Sequence, residues 1–153
     1  MQPVVDLSLV DALNSFVASA ITTLRDTMHL DATLDCTSSP NAPAPRLVVA
    51  VDISGDLRCV TWVFPIELAR ELARQMVGEV NPELAGYAAV ELANILTGRA
   101  IEPFHSHGLH IEIHPPQLVA AFEPGMRARL VTALGSIEIV FYPVTARPRN
   151  PSA

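Results

Sequence analysis

The sequence predicts an α+β fold in which three helices pack on a sheet of about six mostly antiparallel strands. Three segments repeat apolar residues at the three- and four-residue spacing of amphipathic helices. Around them lie short β-rich runs, most of them joined by connections that suit hairpins. A chain of 153 residues can bury one substantial core. We therefore expect a single domain over residues 1–146 and a flexible tail over residues 147–153.

The first helix is predicted to begin at Asp6 or Ser8, either of which can cap its free N–H groups. Apolar residues then recur on one face, which we expect to be buried: Val10, Leu13, Val17, Ala20, Ile21, Leu24 and Met28. A weak strand is predicted over residues 30–36. The prolines and small polar residues that follow, at positions 37–45, predict a surface loop.

Two hairpins are predicted from β-rich runs that flank short turn segments. The first joins residues 46–53 to residues 57–64 through a serine, a glycine and an aspartate. The second joins two runs near the C-terminus and turns at Leu134, Gly135 and Ser136. Consecutive strands in both hairpins must run antiparallel, which favours α+β over a parallel sheet with crossovers.

The second helix is predicted to begin at Pro65 and to end at Gly78, residues that suit a helix start and a left-handed cap. Its apolar positions recur at helical spacing and should face the core: Ile66, Ala69, Leu72, Ala73 and Met76. Two glutamates and two arginines alternate on its other side. We expect Glu67 and Glu71 to face Arg70 and Arg74 in solvent.

The third helix is predicted over residues 81–102, where Asn81 can cap the backbone and Pro82 suits the first helical position. A broad apolar arc follows at 100° per residue: Leu84, Ala85, Ala88, Leu92, Ile95 and Leu96. A second stripe lies beside that arc and contains Tyr87, Glu91, Asn94 and Gly98. The helix therefore offers a carboxylate, a carboxamide and a gap left by glycine on one side.

Composition excludes several classes of function. The net charge is -6, and all ten basic residues are arginine, so no basic patch is available for a nucleic-acid backbone. The N-terminus has no positive segment followed by a cleavage site, and charged or polar residues interrupt the apolar stretches. We expect a cytoplasmic protein that spans no membrane. Cys36 and Cys59 lie in no metal-binding spacing and should be reduced thiols.

A histidine-rich stretch offers one candidate site. Residues 109–114 alternate strictly between apolar and polar, which predicts a half-exposed strand, and residues 117–122 predict another short one. His110, Glu112 and His114 would then project from one face and resemble a metal triad. An exposed strand face is the commoner meaning of such alternation. The sequence shows no strained nucleophile turn and no glycine-rich phosphate loop.

The third helix offers the stronger candidate because of its context. ELANILTG, at residues 91–98, follows a hairpin and a helix that ends in MVG, and it resembles the E-x-x-N-x-x-x-G signature of the CheC/CheX/FliY family of chemotaxis phosphatases. Residues 48–78 resemble the family's hairpin and second helix, and HPPQLVAAF, at residues 114–122, resembles the strand after the signature helix. The resemblance covers roughly residues 7–145. It is closest to CheX, because the chain has one signature helix where CheC-like members usually have two.

The first helix contains a partial echo of this signature. Asp11 and Asn14 have the same spacing as Glu91 and Asn94. Aspartate is shorter than the usual glutamate, and no glycine follows four residues after Asn14. We interpret the pair as coincidence or, at most, as a degenerate copy.

The resemblance implies a phosphatase that hydrolyses the aspartyl phosphate of a CheY-type response regulator in a chemotaxis or related two-component pathway. It implies that Asn94 orients the attacking water and that Glu91 docks on the receiver domain's lysine. Tyr87, Glu91 and Gly98 would meet the partner. It further implies that this chain binds no cofactor, that Mg²⁺ is held by the receiver domain, and that the protein is a homodimer.

Two other functions remain open at this stage. The first is a non-catalytic binding module of CheX fold that docks a receiver domain or another signalling partner. The second is a metalloprotein that uses His110, Glu112 and His114. Phosphate release from a phosphorylated regulator would separate the first from a phosphatase, and bound metal after purification would identify the second.

Overall fold

The structure is a computed structural model that describes residues 9–35, 45–53, 59–106, 108, 111–121 and 125–142. These residues contain three helices: α1, Leu9–Met28; α2, Ile66–Val77; and α3, Pro82–Ser106. They also contain six strands: β1, Ala32–Leu34; β2, Arg46–Asp52; β3, Cys59–Pro65; β4, Gln117–Val119; β5, Met126–Thr132; and β6, Gly135–Phe141. Every strand pair in this sheet is antiparallel, which confirms the predicted α+β class. In this part of the chain, no helix is both long and apolar enough to cross a membrane.

The order of strands in the sheet is β1-β5-β6-β3-β2-β4. The chain consists of two successive halves, α1-β1-β2-β3 and α3-β4-β5-β6, with α2 between them. Exchanging each strand for its counterpart in the other half gives the same order read from the opposite edge. The sheet therefore has an internal pseudo-twofold arrangement, with β3 and β6 paired at its centre.

One apolar cluster joins the helices to one face of the sheet, and aromatic side chains lie at its centre. Trp62 of β3 and Phe16 of α1 are fully buried there. Phe16 packs edge-on against Phe141 of β6, with their ring centroids 4.8 Å apart. The predicted inward face of α1 is wrong at its first residue, since Val10 is 53% exposed. The spacing alone does not show that Val10 lies outside the core, and the proposed caps Asp6 and Ser8 lie outside the described residues.

The ends of α2 follow the prediction closely. Pro65 is the residue before the first helical residue, and Gly78 takes a left-handed conformation with φ of 78° and donates its N–H to the carbonyl of Arg74 at 2.8 Å. The predicted charge pairs on the solvent side are also present. The predicted inward face is wrong at Met76, which is 45% exposed, and Leu68 is buried in its place. The last turn of α2 lies outside the core, since Val77 is also 55% exposed.

The helix α3 continues beyond residue 102, where the sequence predicts its end, and it includes Pro103. Proline loses the hydrogen bond that its own N–H would make, and its ring crowds the carbonyl four residues earlier, but Phe104 in the next position is buried against the core. Ser106 adds a side-chain bond to the carbonyl of Glu102, at 3.3 Å. Apolar burial therefore extends the helix by one turn despite the proline.

Two other predictions about strands are corrected. The strand predicted over residues 109–114 is wrong where the structure describes it, because residues 111–114 contain only an isolated bridge between Ile113 and Ile53. Two prolines follow, and they cannot donate to a sheet ladder. The C-terminal hairpin turns at Ala133 and Leu134 and not at residues 134–136. The Thr132 hydroxyl closes this turn, since it accepts from the N–H of Leu134 and donates to the carbonyl of Gly135.

The opposite face of the sheet carries a buried carboxylate that the sequence does not reveal. Glu138 of β6 is 2% exposed, and its oxygens lie 3.3–3.5 Å from the guanidinium nitrogens of Arg46, Arg127 and Arg129. Arg129 also pairs with Asp35, at 3.7 Å. The charges of three arginines from two strands thus offset the free-energy cost of removing the Glu138 carboxylate from water.

The other predictions fall on residues that the structure leaves undescribed. These are most of the proline-rich loop, the turn of the first hairpin, Cys36 and the C-terminal tail. The prediction of one domain over residues 1–146 therefore stays a prediction, although all six strands described above share one sheet.

Candidate functional site

The start of α3 is fixed by the cap that the sequence predicts. The side-chain oxygen of Asn81 accepts the N–H of Leu84 at 2.8 Å, and its backbone carbonyl accepts the N–H of Ala85 at 2.9 Å. Pro82 is the first helical residue and has no N–H to satisfy. These bonds fix the residue at which α3 begins.

The predicted stripe lies on the solvent side of α3. Tyr87 is 64% exposed, Asn94 is exposed, and Glu91 and Gly98 are half-buried. Residues three and four apart on a helix are surface neighbours, so Glu91 and Asn94 lie side by side, with Tyr87 and Gly98 one turn before and after them. The helix therefore presents a carboxylate and a carboxamide together to solvent.

Gly98 leaves space on this surface. Nothing among the described residues lies within 4 Å of the position that a Cβ would occupy there. The glycine is therefore not required for packing against a neighbouring element of this chain. A flat surface beside Asn94 is the consequence.

The buried side of the same helix is held to the sheet at a point close to Asn94. The indole N–H of Trp62 donates to the hydroxyl of Thr97 at 2.9 Å, and both residues are fully buried. Leu92, Ala93 and Leu96 pack into the core around this bond. A polar bond in an apolar surrounding fixes both the height and the rotation of α3 on β3. The stripe thus sits on a rigid support.

The echo on α1 occupies an equivalent position in the other half of the fold. Asp11 and Asn14 are exposed, as is Ala18, which takes the place that Gly98 takes on α3. The residues between them follow the same pattern of burial as their counterparts on α3. The two helices thus match in register, but α1 has a shorter acid and no glycine.

The histidine-rich stretch is only partly described. Glu112 and His114 are exposed, and the backbone N–H of His114 donates to the carbonyl of Asp52 at 2.9 Å. His110 lies outside the described residues, so the structure does not test the predicted triad. In the described ranges, no group of three histidine, cysteine or acidic side chains is arranged to hold a metal ion.

Cys59 is a free and buried thiol that faces away from α3. Burial, with a smaller contribution from the charge of Asp52, raises the pKa of Cys59 to about 11. The thiol is therefore protonated at neutral pH and is a poor nucleophile. This leaves the α3 stripe as the best-formed candidate site in the described part of the chain.

Comparison with known proteins decides the family. The sequence model of the family described as chemotaxis phosphatase CheX matches residues 47–141, which include α2, α3 and five of the six described strands. This chain belongs to the CheX family. The match includes Glu91 and Asn94 but leaves α1, with Asp11 and Asn14, outside it. No curated protein matches the sequence.

Solved structures agree with this assignment at the level of fold. A chemotaxis protein CheX from Vibrio vulnificus superposes with a TM-score of 0.69 at 21% identity, covering 86% of this chain and 96% of that one. CheX from Desulfovibrio desulfuricans has a TM-score of 0.66 at 14% identity, with 86% and 97% covered. The CheX-CheY-BeF3-Mg+2 complex from Borrelia burgdorferi gives 0.65 at 17% identity, with 87% and 99% covered.

The sequence thus identifies the stripe on α3 but misses what surrounds it. The bond from Trp62 to Thr97 joins residues far apart in the chain, and no local pattern predicts it. Leu118 of β4 contacts α3 at Gly86, the residue before Tyr87. Its strand has only three residues, which is too few to predict this contact from periodicity.

Proposed function

We propose that this protein is a phosphatase that hydrolyses the aspartyl phosphate of a CheY-type response regulator in a chemotaxis or related two-component pathway. The observation that carries the proposal is the pairing of Glu91 and Asn94 on the solvent side of a rigidly supported helix. Membership of the CheX family supports it, because the matched residues include both side chains. The fold similarity to a CheX protein in complex with CheY supports the choice of partner.

Asn94 is assigned to the attacking water. A carboxamide has both donors and an acceptor and does not titrate near neutral pH, so it can hold water in one orientation. Hydrolysis of an acyl phosphate depends mainly on in-line positioning and on neutralisation of charge, so this chain needs no nucleophile of its own. The exposure of Asn94 lets its carboxamide enter a partner's site.

Glu91 is assigned to docking. Its carboxylate is half-buried one turn from Asn94, so it can pair with a lysine in the receiver domain and set the register of the amide. The open surface at Gly98 allows the partner's backbone to approach. The Mg²⁺ that neutralises the phosphoryl group would be held by the receiver domain, and the protein would act in the cytoplasm with that partner.

The test is phosphate release from phosphorylated regulators, with wild type compared to single alanine variants. Asn94→Ala should reduce the stimulated rate by about a hundredfold or more, as expected for loss of a positioned polar group. Glu91→Ala should raise KM and lower kcat/KM by weakening the docked complex. Asp11→Ala and Asn14→Ala are matched controls on the equivalent surface of α1 and should leave the rate within about twofold of wild type.

Two results would change the assignment. A folded Asn94→Ala variant with undiminished activity would show that the amide is not catalytic. A regulator that binds wild type but is never dephosphorylated would identify the protein as a non-catalytic adaptor of the same fold.

We also propose that the protein is a homodimer. The edge strands β1 and β4 have three residues each, whereas their neighbours β5 and β2 have seven. A short strand therefore forms each edge of the described sheet, and a second copy can pair along one of these edges and extend the sheet. Light scattering at micromolar concentration would return twice the chain mass of 16.5 kDa, and a monomer would refute this proposal.

A further inference from the structure

Tyr87 of the stripe and Leu118 of β4 are two of the large apolar side chains that the described residues expose. Tyr87 is 64% exposed and Leu118 of β4 is 47% exposed. Leu118 reaches α3 at Gly86, where its Cδ1 lies 3.1 Å from the position that a Cβ would occupy. Gly86 precedes Tyr87 in the chain, so the contact of Leu118 and the side chain of Tyr87 both belong to the first turns of the helix, about 100° apart around its axis. We call Tyr87 and Leu118 the apolar ledge.

The ledge is continuous with the candidate site. Tyr87 lies one turn before Glu91, and the distance along the axis from Tyr87 to Asn94 is about 10 Å. A partner that buries about 800 Å² on this chain covers a patch roughly 30 Å across. A receiver domain centred on Asn94 is therefore wide enough to reach Tyr87 and the contact of Leu118 with Gly86.

The position of Leu118 on the sheet explains why it is available. Leu118 pairs with Val49 of β2 and so points to the same side of the sheet as the core. It sits on the edge strand, however, and α3 covers it only at the glycine. A larger residue at position 86 would push against the leucine and displace it from this contact. The lack of a side chain at Gly86 therefore determines how closely Leu118 approaches α3.

We propose that the apolar ledge selects the response regulator, a role that rests on the proposed function and adds to it. The partner that fits carries an exposed aliphatic or aromatic patch close to its phosphorylated aspartate. A regulator with a charged or strongly polar group at that place would lose hydration against Leu118 and the tyrosine ring, where only the hydroxyl of Tyr87 offers a hydrogen bond, and it would be rejected. Glu91 and Asn94 contact the phosphorylation site of the regulator, and the ledge contacts the surface next to that site.

The opposite edge of the sheet supplies a matched control. Leu34 of β1 is 49% exposed, pairs with a core residue of β5, and occupies the pseudo-equivalent edge strand. It differs from Leu118 in lying at the far edge from the helix that carries Glu91 and Asn94. Replacing either leucine removes the same apolar group at the same exposure, and only one of them belongs to the ledge.

The experiment measures KM and kcat for wild type, Leu118→Ser, Leu34→Ser and Leu118→Met on the phosphorylated regulator that wild type hydrolyses fastest. Burying a half-exposed leucine against the partner predicts a rise in KM of about fivefold for Leu118→Ser, with kcat unchanged. Leu118→Met should restore the wild-type KM, because it keeps an apolar side chain of similar size. Leu34→Ser should keep the wild-type KM.

The outcomes separate the two proposals. If wild type hydrolyses the regulator and Leu118→Ser has the same KM as Leu34→Ser, the ledge is overturned while the phosphatase stands. If Leu118→Ser lowers kcat with KM unchanged, the residue supports the fold and the ledge is again overturned. If wild type hydrolyses no regulator, the proposed function fails and the ledge with it. A raised KM confined to Leu118→Ser and reversed in Leu118→Met supports the proposal.

Discussion

Replacing Thr97 with valine would break the bond that holds α3 on the sheet beneath the candidate site. Valine has the shape of threonine without the hydroxyl, so the change removes the acceptor of the Trp62 indole N–H and little else. Both residues are fully buried, and water cannot replace the lost partner from the surface. An unsatisfied buried donor costs about 1–3 kcal/mol. We expect Thr97→Val to lower the free energy of unfolding by about 2 kcal/mol.

Urea denaturation gives the assay, and the fluorescence of Trp62, the chain's one tryptophan, gives the probe. Circular dichroism on the same samples checks that the transition is two-state. Trp62→Phe with and without Thr97→Val completes a double-mutant cycle, followed by circular dichroism, and should show a coupling of about 1 kcal/mol. A stabilising role for the bond between Trp62 and Thr97 is refuted if Thr97→Val changes the free energy of unfolding by less than about 0.5 kcal/mol, or if the effects of the two substitutions are additive.

Three further predictions concern stability. Glu138→Gln removes the buried charge that three arginines share and should lower the free energy of unfolding by about 2–3 kcal/mol in chemical denaturation, and an unchanged midpoint would contradict this. Gly135→Ala places a Cβ 2.8 Å from that of Pro65 at a φ of 118° and should destabilise by about 2 kcal/mol, measured as a drop in Tm of several degrees. Burial and the charge of Asp52 raise the pKa of Cys59 from 9.0 to about 11. Because this thiol ionises at lower pH in the unfolded chain than in the fold, its full contribution to the free energy of unfolding is present below pH 9. It should be lost between about pH 9 and 11, on the order of 2 kcal/mol, and Cys59→Ala should lack this alkaline loss.

Local patterns in the sequence are sufficient to predict most elements of this fold. The cap at Asn81 and the apolar spacing that follows it determine where α3 begins and which side faces solvent, because helix geometry is set within a few residues. The same holds for Gly78 at the end of α2, where a left-handed backbone requires glycine. These features were predicted correctly because their causes are close together in the chain.

Features that depend on distant partners could not be predicted. Pro103 suggests a helix end, but the burial of Phe104 outweighs one lost hydrogen bond, and that burial exists only once the core has formed. Glu138 alternates with isoleucines as a solvent-facing residue would, yet arginines from two other strands enclose it. Leu118 approaches α3 closely only because the residue that it meets there, Gly86, has no side chain. Tertiary contacts decide each of these cases.

Because of the pseudo-twofold strand order, neither half of the chain can form a complete sheet by itself. The first strand of each half, β1 or β4, is paired with the second strand of the other half, and the central contact joins the two third strands. Each half therefore finishes the edge of its counterpart, as two copies do in a strand-exchanged dimer. Cooperative folding must wait for both halves, since every edge contact joins residues far apart in sequence. Truncation of either half should therefore unfold the sheet and abolish function. Two separate fragments, one for each half, should be able to reassemble the fold through their strand pairing alone.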